Sequence, residues 1–319
     1  MKITIVTPAK KGDRSGNRAT ANRWATLLRK LGHNPQTLTE YDGRSCDAML
    51  AIHAWRSTDA IERFRTALPD APLIVCLAGT DIYRFQKSHP KETLRSMAHA
   101  DALVCLHDLV GRAIPKAYRS KLHIIHQSAA PLDRRPPLKR DFEIILAGHL
   151  REEKDPFRAA LAARHLDPSS NLRIFHFGRA HDPQFARDAQ REMRGNDRYR
   201  WFGEIPRWEV RRRMSRAQAM VISSRMEGGA NVVSEAIMAG LPVIASKIDG
   251  NMGLLGGDYD GYYRVEDEAA LAQILARFEE DGPFRKRLAS QIRKLRPQFT
   301  EKRELGAWQN LLASLKQPG

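Results

Sequence analysis

Cysteine is scarce in this chain. There are three in 319 residues, Cys46, Cys76 and Cys105, and none lies in a CxxC spacing. An odd, sparse set excludes a disulfide framework and a cysteine zinc site, and it fits a reducing compartment. Long apolar runs are missing too: nothing approaches the roughly 18 residues that a membrane span needs. The first residues pass directly into a strand-like Lys2-Ile3-Thr4-Ile5-Val6, so no secretory leader is expected, and the expected location is cytoplasmic. No basic amphipathic helix with exposed apolar bulk stands out, so no membrane partner is expected. Aromatic residues make up 7% of the chain. Without an aromatic-rich sheet, a helix-turn-helix or a zinc frame, the net charge of +16 does not by itself indicate a nucleic-acid partner. Ser223-Ser224 lacks the G-x-S-x-G frame of a nucleophile elbow. His123 and His126 are spaced to fall on opposite faces of a strand. No metal ligands are read, and metal independence is expected.

The charge that is present is unevenly spread. Residues 1–140 hold 24 Lys and Arg against 12 Asp and Glu, and residues 141–319 hold 29 against 25. A solvated basic surface explains this as well as a first half that receives an anion. Short apolar runs alternate with amphipathic stretches along both halves. Strands are expected at Ile3–Thr7, Ala48–His53, Leu73–Leu77, Ala102–Leu106 and Leu122–Ile125, then at Glu143–Ala147, Leu172–Phe177, Arg200–Phe202, Met220–Ser223 and Val243–Ala245. Helices are expected between them, at Thr20–Leu31, Asp59–Leu68, Lys91–His99 and Leu109–Ala117, then at Phe157–His165, Pro183–Met193, Trp208–Ser215 and Val232–Ala239. This alternation predicts an α/β protein of two doubly wound domains, at 1–133 and 141–300. The Pro131–Pro137 stretch reads as the linker. A C-terminal helix, residues 301–319, carries Leu305, Trp308, Leu311, Leu312 and Leu315 on one face and is expected to pack back on the first domain.

The most informative segment is Glu227-Gly228-Gly229-Ala230-Asn231-Val232-Val233-Ser234-Glu235-Ala236. Two carboxylates sit eight positions apart, and a Gly-Gly turn between them runs into a helix placed between two strands. A helix N-terminus offers open N–H groups to an anion. Carboxylates at its mouth and two turns in suit a diphosphate flanked by hydroxyl-rich groups, as in a nucleotide-sugar. A basic loop, Gly148-His149-Leu150-Arg151-Glu152-Glu153-Lys154, follows a strand and can neutralise a diphosphate; alone it reads more often as a solvated loop, and with the Glu–Glu unit it favours phosphate binding.

Gly148-x-Leu150-x3-Lys154 followed by Glu227-x7-Glu235 resembles the donor signature of family-four glycosyltransferases of the GT-B fold, two Rossmann-like domains facing a cleft. The resemblance implies that the basic loop (His149, Arg151, Lys154) binds the donor diphosphate. It implies further that Glu227 contacts the transferred sugar and Glu235 the ribose, with Gly228, Gly229, Ala230, Asn231 and Val232 lining the donor. The family usually has Arg where His149 stands, which removes a permanent bidentate fork. Trp201-Phe202-Gly203-Glu204-Ile205 lies where the family holds the base, so Gly203 and Glu204 join the donor set. A closer resemblance runs through Gly16-Asn17-Arg18-x-Thr20, Ile52-His53-Ala54-x-Arg56-Ser57, Gly79-Thr80-Asp81, Tyr199-Arg200-Trp201 and Gly250-Asn251-x-Gly253. These segments are similar to the selenosugar synthases of selenoneine biosynthesis.

That likeness implies transfer of N-acetylglucosamine from UDP-GlcNAc to selenophosphate, with no cofactor. It implies functional links to an enzyme that makes selenophosphate and one that consumes the selenosugar. Gly16, Asn17, Arg18, Thr20, His53, Arg56, Ser57, Thr80 and Asp81 become acceptor-side candidates, and Glu227, Lys154, His53 and Asp81 catalytic ones. Individually, Arg18 also fits a solvated helix residue, His53 a hydrogen-bonded core histidine and Asp81 a cap. Transfer to a hydroxyl acceptor and a UDP-sugar epimerase remain alternatives.

Overall fold

In a computed structural model of the chain, residues 1–13, 15–137 and 140–315 are described. The chain forms two compact units. One comprises residues 1–127, the short segment 227–230 and the segment beginning at Glu301; the other comprises residues 128–226 and 231–300. The last four residues expected in the C-terminal helix, 316–319, lie outside the described residues.

The first unit holds a parallel sheet of β1 (Lys2–Val6), β2 (Asn34–Leu38), β3 (Ala48–Ile52), β4 (Leu73–Leu77), β5 (Ala102–Cys105) and β6 (Leu122–Ile124), in the order β2-β1-β3-β4-β5-β6. Every residue of β3 and β4 is buried, which is why both read as unbroken apolar runs. Alternate residues feed opposite faces. Met49 and Ala51 join Phe64 and Met97 on one side, while Leu50 and Ile52 join Trp24 and Leu28 on the other. The second face is closed by the C-terminal helix, Glu301–Ser314. Its Trp308 meets Trp24 edge to face at 4.9 Å, and Trp24 Nε1 donates to Glu304 Oε1 at 3.0 Å. All three cysteines are free and buried.

The second unit repeats the plan with β7 (Phe142–Ala147), β8 (Leu172–Phe177), β9 (Tyr199–Trp201), β10 (Ala219–Ile222), β11 (Val243–Ser246) and β12 (Tyr262–Tyr263). Its order is β12-β11-β10-β7-β8-β9, again parallel throughout.

Four local differences from the sequence reading have physical causes. β2 escapes a hydrophobicity argument because Asn-Pro-Gln-Thr-Leu is polar; it is an edge strand, where a proline costs no ladder bond. The helix expected at Leu109–Ala117 is absent. Gly111 weakens it and Pro115 forces its neighbour from helical geometry, leaving 3-10 turns at Val110–Arg112 and Lys116–Lys121. A π-helical turn at Asp81–Phe85 and a helix at Asp249–Leu255 carried no periodic signal. The Pro131–Pro137 stretch lies within the second unit, and the boundary falls between Gln127 and Ser128. Arg134 secures the stretch by donating to the carbonyls of Met214 and Ala217, both at 2.5 Å, while Arg135 N donates to Ser215 O. Leu138 and Lys139 lie outside the described residues. Among the described residues, no helix is long and apolar enough to cross a membrane.

Candidate active site

In the second unit, β10 leads through residues 223–226 towards the helix Asn231–Ala239, whose residues from Val233 onward are buried. Glu235 is 8% exposed on this helix. Arg207 grips one of its oxygens: Nε at 2.9 Å and Nη2 at 2.5 Å both donate to Oε1. No hydrogen bond to Oε2 occurs among the described residues. One turn earlier, Asn231 Oδ1 is shut from solvent and has no hydrogen-bond partner. Val232 is half-buried beside it. This helix therefore presents two unfilled acceptors and an N-terminus that favours anions.

The basic loop follows β7. Gly148 N donates to Phe177 O at 2.9 Å, and Gly178 lies so close that a Cβ on it would sit 2.0 Å from Gly148 O. His176 stands beneath the loop, fully buried between Gly148 O (Nε2, 3.1 Å) and the Tyr199 hydroxyl (Nδ1, 3.0 Å). Burial pushes its pKa down to about 4, so it is neutral and its Nε2–H donates to Gly148 O while Nδ1 accepts from Tyr199. His149 is held by Arg179 N, which donates to its Nδ1 at 3.3 Å. Arg151 lies 3.9 Å from Glu153, and Lys154 ends a short 3-10 turn. Asp155 is left-handed (φ 42°) and accepts from Arg158 Nε at 2.8 Å; the helix runs Arg158–Ala163. At the proposed base segment, Gly203 is left-handed and its carbonyl accepts from Gly178 N at 2.8 Å, Glu204 is exposed, and Phe202 stacks on Phe177.

In the first unit the candidates are largely occupied. Asp81 is fully buried; its Oδ2 accepts from Ala54 N and Ala78 N, and its Oδ1 from Gly79 N and Ile82 N, at 2.8–3.1 Å. It ties the loop after β3 to the loop after β4. His53 is buried with φ 79°, a strained value for a non-glycine residue. Arg56 N donates to its Nδ1 at 3.1 Å, so the proton sits on Nε2 and points to Thr80 Oγ1 at 2.9 Å. Desolvation lowers its pKa, against a smaller opposing pull from Asp81. Both ring nitrogens of His53 thus have partners within the protein. Ser57 Oγ donates to Ile52 O, and Thr20 Oγ1 accepts from Gln127 Nε2. Arg56 is exposed, with its guanidinium 5.9 Å from the Phe85 ring. Phe85 itself stacks on Trp55 at 3.9 Å. Gly16 and Asn17 open the helix Gly16–Lys30. Arg18 lines a different feature, a cavity of about 840 Å³ with Lys2, Arg29 and Arg44 whose lining includes none of His53, Arg56, Ser57 or Thr80.

Glu227, Gly228, Gly229 and Ala230 group with the first unit, and both glycines are required there. A Cβ on Gly228 would lie 2.3 Å from the Ala78 carbonyl carbon, and one on Gly229 would lie 2.3 Å from Leu106 Cβ. Glu227 is 8% exposed. Sequence reasoning missed Arg207, His176 and the close approach of Gly228 to Ala78. Only the Gly-Gly pair itself offered a signal, since close backbone packing is one reason for paired glycines.

Among the described residues, no group of three or more His, Cys, Asp or Glu is placed to hold a metal. Within the Asp258-Tyr259-Asp260 triplet, Asp260 pairs with Arg287 at 2.6 Å.

The family described as glycosyl transferases group 1 matches residues 132–295, more than half of the chain. The chain belongs to this family. A relative from Xenopus tropicalis, glycosyltransferase 1 domain-containing protein 1, is 23% identical over 270 residues, covering 78% of each chain. Among solved structures, HepE of Anabaena in complex with UDP and glucose superposes with a TM-score of 0.76 at 16% identity, covering 98% of this chain and 100% of that one. Sucrose-phosphate synthase of Thermosynechococcus elongatus gives the same TM-score and identity, with 98% of both chains covered. At such identities the structural likeness speaks to the fold, which is GT-B: two Rossmann-like units, each built on a six-stranded parallel sheet.

Proposed function

We propose that this group 1 glycosyltransferase transfers N-acetylglucosamine from UDP-GlcNAc to selenophosphate, making a carbon–selenium bond. The donor half of the reading is carried by the helix Asn231–Ala239, where Glu235 keeps one oxygen open and Asn231 Oδ1 has no partner. HepE, a structural neighbour, is described with UDP-glucose, and nucleotide-sugar use fits that likeness. Lys154, Arg151, His149 and the helix N-terminus stabilise the departing diphosphate. Glu235 accepts from the ribose, Glu227 from the sugar hydroxyls, and Gly203–Glu204 seat the base.

The acceptor half rests on the motif resemblance and on one observation. Asp81 and His53 are both committed to hydrogen bonds within the protein. A hydroxyl nucleophile needs a base, whereas selenophosphate is already ionised, and this favours it over a hydroxyl acceptor. Arg56, exposed and bonded to His53 through its backbone N–H, is a cation that suits such an anion. Selenium attacks the anomeric carbon, the bond to the UDP oxygen breaks, and UDP departs with the electron pair. Water then cleaves the selenium–phosphorus bond, giving the selenol and phosphate. Direct attack inverts the anomeric centre, which the product's anomeric proton coupling reports. The enzyme acts in the cytoplasm, without metal, between a selenophosphate producer and a selenosugar consumer.

Mass spectrometry after mixing the protein with UDP-GlcNAc and selenophosphate, with thiophosphate as control, tests the reading. A selenosugar with matching UDP and phosphate is expected. UDP-GlcNAc turnover that ignores selenophosphate overturns it in favour of epimerase chemistry.

A further inference from the structure

We propose that Arg207 is the positioning residue that sets donor selectivity for the ribose, acting through Glu235; this rests on the donor reading above. Two nitrogens of one guanidinium converge on a single carboxylate oxygen, Nε at 2.9 Å and Nη2 at 2.5 Å. Holding one oxygen from two directions fixes the plane of the carboxylate and leaves Oε2 as its single available acceptor. The Glu235 side chain is 10% exposed and that of Arg207 64% exposed, so the cation reaches inward from solvent to a buried anion. A lysine delivers the same charge as a point and cannot set that plane.

The second observation is Asn231. It lies four residues before Glu235 on the same helix, and residues so spaced share a face. Its Oδ1 is buried without a partner. Two unfilled oxygen acceptors on one face call for hydroxyl donors and repel phosphate oxygens. The guanidinium solves the conflict that follows. A bare carboxylate near a diphosphate would oppose binding, and a permanent cation on Oε1 offsets that repulsion while leaving Oε2 to the sugar. Arg207 opens the helix Arg207–Met214 directly after Gly203–Glu204, so the group that orients the ribose acceptor is anchored next to the proposed base segment.

Calorimetry on the full chain with UDP and 2′,3′-dideoxy-UDP tests this. The unmodified protein should prefer UDP by about tenfold or more, as expected for hydroxyls bonded to a charged acceptor. Arg207→Ala should shrink the preference to roughly threefold or less, mainly by weakening UDP, without lowering the melting temperature. Arg207→Lys should fall between the two. Glu235→Ala should abolish the preference, and adding Arg207→Ala to it should change nothing further. If Glu235→Ala abolishes the preference but Arg207→Ala preserves it, the role of Arg207 is wrong and the donor reading stands. A preference that survives Glu235→Ala removes the donor reading and the Arg207 role with it. A double variant much weaker than Glu235→Ala towards both probes would mean that Arg207 touches the nucleotide itself, which overturns the positioning role.

Discussion

The loops that follow β3 and β4 in the first unit and the helix Asn231–Ala239 in the second were both rich in candidate residues, and their polar groups are used in opposite ways. Asp81 receives four backbone N–H groups, His53 is held at both ring nitrogens, and Ser57 is bonded to the strand it follows. On the helix, Glu235 Oε2 and Asn231 Oδ1 are unfilled. A buried polar group left without a partner costs stability, and Asn231 Oδ1 is such a group, while Glu235 Oε2 is unbonded by the protein. The contrast separates polar groups that the fold already satisfies from polar groups it leaves open, although residue type and motif position rank them alike.

The largest expected effect breaks the first side of the contrast. Asp81→Ala strips the acceptor from four buried N–H groups and should cost about 3 kcal/mol or more in chemical denaturation. An effect on turnover at unchanged stability would return Asp81 to the ligand side.

His176 predicts a pH dependence of similar size. Its pKa is depressed in the folded protein to about 4 from an ordinary 6.5, so the unfolded chain binds the extra proton between these values. The stabilising contribution is complete above about pH 6.5, fades as the pH falls, and is gone below about pH 4, a change of about 3 kcal/mol. Denaturation midpoints measured down to pH 4 should show this slope, and His176→Gln should flatten it.

Gly228→Ala comes next. Its Cβ would meet the Ala78 carbonyl carbon at 2.3 Å, and backbone cannot yield as a side chain does. About 1–3 kcal/mol of stability should be lost, read as a lower melting temperature.

The smallest stability effect belongs to the other side. Glu235→Ala removes a carboxylate whose partner is a solvent-facing arginine, so it should cost less than about 1 kcal/mol while calorimetric affinity for UDP falls to that for 2′,3′-dideoxy-UDP. Together with Asp81→Ala it gives the pair of measurements that would sharpen the division most.

Much of the fold was legible because parallel strands buried on both faces must be continuous apolar runs, as in β3, β4 and β10. The Glu227–Glu235 spacing and the Gly148–Lys154 loop were legible for a similar reason, since a strand–loop–helix unit places its chemistry at fixed offsets. β2, β12 and the π-helical turn at Asp81 were not, because each exists through its neighbours rather than through its own pattern. The same holds for the roles within the site. Residue order alone determined that this is a chain of two α/β units with two carboxylates eight positions apart around a Gly-Gly turn. Only tertiary structure decided that Arg207 holds Glu235, that His176 carries Gly148, and that Asp81 is spent on its own loops. Hydrogen bonds between residues 27–28 positions apart depend on which backbones the sheet brings together, and no local periodicity records that.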